Sequence, residues 1–151
     1  MSAIQSFTAK DVCGALGGIS RSKLHLWAQL APFCDRPSRE RSARRYTKAD
    51  LLTLAVLHTL EESFDVKLSG RDCVSAAIHQ YVRSPRYALA EEWIFIPLDG
   101  GAAYSVQDQK IIALGWVVDV ARERERIDIY LGLTPPQQEL PLISNIKSGR
   151  Q

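Results

Sequence analysis

The chain holds no long apolar run: nowhere do the roughly 18 successive apolar residues of a membrane-crossing helix occur. Its first residues, MSAIQSFTAKDV, lack the basic-then-apolar layout of a secretory leader, so the expected location is cytoplasmic. Cysteine is scarce and odd in number. Cys13, Cys34 and Cys73 stand 21 and 39 residues apart, which fits neither a zinc pair nor a disulfide-stapled secreted scaffold. Reduced, partly buried thiols are expected, with metal or redox sensing as the alternative. His25, His58 and His79 are scattered, and no glycine-rich phosphate loop, zinc motif or Ser/His/Asp arrangement stands out. The expectation is therefore no enzyme, no metal and no cofactor.

What is present is apolar content enough for a core: 46% hydrophobic and 24% charged residues in a chain of 151. That size makes one domain or two small ones. The net charge of +2 is unevenly spread. Residues 1–48 carry nine Lys and Arg against three acids, a net +6, which leaves −4 for the remainder. Such an asymmetry suggests that the first third meets a polyanion. The densest cluster lies in "RPSRERSARRY", where Arg36, Arg39, Arg41, Arg44 and Arg45 precede Tyr46.

Around this cluster the pattern is helical. Thr8 can cap a first helix, with Asp11 three residues on and Phe7 positioned to staple onto Val12. Val12, Ala15 and Leu16 form its apolar face, and Gly17-Gly18 ends it. Ser20 caps a second helix from 21 to about 30, in which Leu24, Trp27 and Ala28 share one face while Arg21, Ser22, His25 and Gln29 point elsewhere. Trp27 is expected in the core. Thr47 and Asp50 repeat the capping pattern before a third helix, with Leu51, Leu54, Ala55, Leu57 and His58 at helical spacing, ending near 63. A fourth helix is expected from about 71 to 83, on a stripe of Val74, Ala77, Ile78 and Tyr81. Beyond it "EEWIFIPL", "AAYSV", "KIIALGWVVDVA" and "IDIYLGL" predict three or four mostly antiparallel strands; "VVDVARERERI" suits a helix as well. Glu91-Glu92 and the run 122–126 read as solvated surface, and His58 and His79 as structural histidines. Trp93, Phe95, Trp116 and Tyr130 read as core bulk rather than pocket lining.

The order of the first elements resembles the N-terminal winged helix-turn-helix DNA-binding domain of the MerR family. The matching residues are Phe7-Thr8, Gly18-Ile19-Ser20, Leu24 with Trp27, Arg44-Arg45-Tyr46 and Asp50-Leu51, over residues 5 to about 70. Five pieces in family order and spacing carry the likeness. The resemblance implies a winged helix-turn-helix, placed over residues 1–84; the strand-like segments and the polar, proline-bearing end add a small sheet-containing dimerisation or partner-binding region over 85–134 and a flexible tail over 135–151, an α+β protein in all. The resemblance also implies that the second helix enters the major groove with Arg21, Ser22, Lys23 and His25. The wing, with Arg44, Arg45 and Tyr46, would follow the phosphate backbone. The sequence departs from the family at His25, where an arginine is usual, in the longer basic segment holding Arg36, Arg39 and Arg41, and in the absence of a long coiled-coil helix.

Physical chemistry supports the same partner. Each arginine that neutralises a phosphate releases a counterion, and a guanidinium fork matches phosphate oxygens or a guanine edge. The expected function is sequence-directed binding of double-stranded DNA by a bacterial or phage transcriptional regulator that forms a homodimer. Two alternatives stay open: an architectural, excisionase-like or DNA-packaging accessory factor, and a protein-interaction module that does not bind DNA.

Overall fold

The computed structural model describes residues 6–35, 45–84 and 91–132. Their architecture is α+β: five α-helices and one three-stranded antiparallel sheet.

Local sequence accounts for the first elements. Helix α1 (Ala9–Ala15) opens on a capping box in which the Thr8 hydroxyl accepts the Asp11 N–H and the Asp11 carboxylate accepts the Thr8 N–H. That Thr8 N–H holds the Asp11 carboxyl below its ordinary pKa. Gly17 and Gly18 then adopt φ of 84° and 85°, a left-handed turn that a side chain would strain. Helix α2 (Arg21–Trp27) starts where Ser20 Oγ accepts the Lys23 N–H. It is shorter than its periodicity suggests, giving way to turns at 28–30. A 3-10 turn (Phe33–Asp35) follows.

Helix α3 (Lys48–Phe64) repeats the capping box with Thr47 and Asp50. Its spacing suggests one apolar stripe, yet every residue from 50 to 57 is buried. The reason is position: α4 (Asp72–Arg83) and α5 (Val120–Tyr130) both pack against it. Burial makes the Asp50 carboxylate serve twice, for its other oxygen lies 2.9 Å from His79 Nε2 of α4. His79 is thus a satisfied structural histidine, as expected. The stripe of Val74, Ala77, Ile78 and Tyr81 on α4 is buried as read.

In the sheet, β1 (Trp93–Pro97) lies between β2 (Tyr104–Ser105) and β3 (Gly115–Asp119). Ile94 faces Ser105 on one side and Val118 on the other. Ile94, Phe95 and Ile96 are all buried, the signature of a central strand covered on both faces. Residues 127–132 of the segment "IDIYLGL" do not form a strand. Asp119 caps α5 by accepting the Arg122 N–H at 3.0 Å, and Val120, Glu123 and Ile127 then fall on one buried helical face. The spacing i, i+3, i+7 overrides the strand-like alternation of Ile127 and Ile129.

One hydrophobic cluster runs from Val12 through α3 and α4 to Ile94, Val118 and Ile127, so the helices and the sheet share a core. Among the described residues no helix is long and apolar enough to cross a membrane.

Candidate functional site

Helix α2 is built as a surface element on a buried support. Leu24 and Trp27 face inward, Trp27 only 2% exposed. Arg21, Ser22, His25 and Leu26 face outward, and a shallow depression runs from this face to Ala9 and Tyr46. Leu26, 62% exposed, is the apolar member of a face that otherwise offers a guanidinium, a hydroxyl and an imidazole.

Lys23 sits differently. Its ammonium pairs with Glu61 and lies 3.8 Å from Glu62, both near the C-terminal end of α3. The hydrogen bond that it donates to Glu61 raises the lysine pKa above its ordinary value. The other Glu61 oxygen accepts from Trp27 Nε1 at 3.3 Å, so one carboxylate ties both the side and the underside of α2 to α3. The resemblance sets Lys23 among the groove-facing residues; its partner, 38 residues away, holds it against α3 instead.

Just before α1 the backbone N–H and C=O of Phe7 and Tyr46 exchange hydrogen bonds of 2.7 and 2.9 Å. This bridge pins the entry to α1 against the entry to α3. Tyr46 is 3% exposed and joins the core. Arg45 beside it is exposed, its guanidinium donating to Ser6 Oγ at 2.9 and 3.1 Å and to the Ser6 carbonyl at 3.2 Å. Arg36, Arg39, Arg41 and Arg44 lie outside the described residues, as does the tail expected over 135–151.

Of the expected contact residues, the structure brings Arg21, Ser22 and His25 together on one outward face and sets Arg45 at the Phe7–Tyr46 joint. The cysteines contribute nothing to this surface: Cys13 is half-buried, and Cys34 and Cys73 are exposed elsewhere. Among the described residues no group of three or more His, Cys, Asp or Glu side chains stands together to hold a metal.

Two acids taken for surface prove structural. Glu92, 2% exposed, accepts from Tyr81 OH at 2.6 Å and from Arg124 Nη1 at 2.5 Å. Glu123, also buried, accepts from Thr59 Oγ1 at 2.7 Å and from Arg126 at 2.6 Å. The run at 122–126 is therefore the N-terminal part of a helix docked on α3, with Arg122 and Glu125 its exposed members beside Arg126. Of the four aromatics assigned to the core, Phe95 is buried, Trp116 is half-buried, and Trp93 and Tyr130 are exposed. His58 is half-buried against Trp27, with ring centroids 5.7 Å apart. Its Nδ1 is buried without a hydrogen-bond partner among the described residues, and burial lowers its pKa.

No protein-family model matches the chain, and neither a characterised protein nor a solved structure matches it.

Proposed function

We propose that the chain binds double-stranded DNA in a sequence-directed way, as a bacterial or phage transcriptional regulator with a winged helix-turn-helix at its N-terminus. One observation carries the reading: the outward face of α2 presents Arg21, Ser22 and His25 together, while the buried Leu24 and Trp27 and the Lys23–Glu61 pair hold the helix from behind. A helix so supported offers base-reading groups without having to order them on binding, and an arginine fork on guanine is the commonest specific contact. Leu26 supplies an apolar contact of the kind that reads a thymine methyl. Arg45, with Arg36, Arg39, Arg41 and Arg44, supplies charge for phosphates, which position a protein on the duplex without reading it. Lys23 and Tyr46 belong to the support in this reading, not to the contact surface.

The test is a mobility-shift titration on double-stranded genomic fragments, including DNA upstream of the coding sequence, at low and at physiological salt. A shift at low salt that weakens steeply as salt rises is expected, because each neutralised phosphate releases a counterion. No shift at low salt would sink the reading. Protection of a long, bent tract in place of a single short site would move it to the architectural alternative.

A further inference from the structure

The sheet has two edges, and they are built differently. Strand β2 is only two residues long and is followed by Gln107, Asp108 and Lys110; brevity and charge are how proteins blunt a sheet edge. Strand β3 is less protected, its one charge, Asp119, standing at its last position. It is five residues long and borders β1 on one side, and among the described residues no strand borders it on the other. From Ile111 to Val118 the chain carries eight uncharged residues in succession, between Lys110 and Asp119.

The approach to this edge is apolar and exposed. Ile112 is 87% and Leu114 78% exposed, and Ile111 and Leu98 are each close to half exposed. Leu98 donates its N–H to the Leu114 carbonyl at 2.9 Å, so the end of β1 and the start of β3 present one continuous surface. These four side chains make an apolar patch on the order of 400 Å², at the size that marks an interaction site on a soluble protein.

We infer that the β3 edge, with Ile111, Ile112, Leu114 and Leu98, is the surface through which two copies of this chain associate. The second copy is favoured over another partner by self-complementarity. An isologous antiparallel pairing sets each segment against itself, and eight uncharged residues bring no like-charge repulsion to that meeting. The inference stands apart from DNA binding and is tested without DNA.

Sedimentation equilibrium of the full chain at micromolar concentration should give twice the chain mass. Ile112→Glu combined with Leu114→Lys should reduce it to a single chain with an unchanged circular dichroism spectrum, since both side chains are exposed. Hydrogen exchange on the wild type needs no variant: protection of β3 amides should rise across the concentration range in which the dimer forms. A single-chain mass at every concentration overturns the inference. So does a double variant that still dimerises, or β3 protection that is independent of concentration across that range.

Discussion

Two acidic residues show how burial changes what a charge does. Glu92 gives one oxygen to Tyr81 of α4 and the other to Arg124 of α5, so a single carboxylate clamps two helices beside the first strand. Replacing it by alanine leaves a phenol and a guanidinium in a site with little water, and breaking a buried pair from one side is costly. Glu92→Ala should lower unfolding stability by about 3 kcal/mol in urea titration. Wild-type stability in that variant would mean that Arg124 and Tyr81 find other partners. His58 supplies a pH dependence. Burial holds its folded-state pKa below the ordinary 6.5, so the unfolded chain takes up a proton that the folded chain resists. The stability is complete above pH 6.5 and declines as pH falls through that value toward the lower folded pKa. Melting temperature should drop as pH falls below 6.5, and His58→Phe should flatten that drop.

At the scale of elements, what was legible depended on how far apart the interacting residues lie. The two capping boxes are local: Thr8 with Asp11 and Thr47 with Asp50 are three residues apart, and both helix starts follow directly from sequence. The partners of Glu92 and Glu123 are not local. Thr59 lies 64 residues from Glu123, and nothing near "EEW" or "RERER" announces a buried acid. Lys23 illustrates the same limit on the candidate surface: its place on the α2 wheel was readable, while its pairing with Glu61 depends on the packing of α2 against α3. Arg21, Ser22 and His25 were legible because they need only the periodicity of one capped helix. The helix that "VVDVARERERI" allows is the one that forms, and it runs on into "IDIY" because the Asp119 cap, not the alternation of Ile127 and Ile129, sets its buried face. In the sheet, Gly115 is demanded by contact. A Cβ there would stand 2.2 Å from the Ile96 carbonyl oxygen and 2.6 Å from the Phe95 ring. The carbonyl belongs to backbone and cannot swing away, so Gly115→Ala should cost about 2 kcal/mol or more by the same titration. An unaltered midpoint would mean that β3 shifts freely against β1.

For the molecule as a whole, the outward face of α2 and the edge of β3 belong to one body, because the core that backs α2 through Leu24 and Trp27 continues into β1 and β3 through Ile94 and Val118. A dimer formed at β3 would present two copies of the α2 face at a fixed separation, the arrangement that reads paired half-sites. The central claim is that this face binds DNA. The most direct measurement is fluorescence anisotropy on one bound fragment across a range of salt, comparing wild type with Arg21→Ala, His25→Ala and the Arg44→Ala, Arg45→Ala pair. The account predicts wild-type binding that weakens linearly in log salt. Arg21→Ala and His25→Ala should each weaken binding roughly tenfold, with reduced discrimination between fragments. The arginine pair should weaken all fragments alike and lower the salt slope by about 2. Wild-type protein that leaves anisotropy unchanged at low salt would contradict the account, as would α2 variants that bind every fragment as well as wild type.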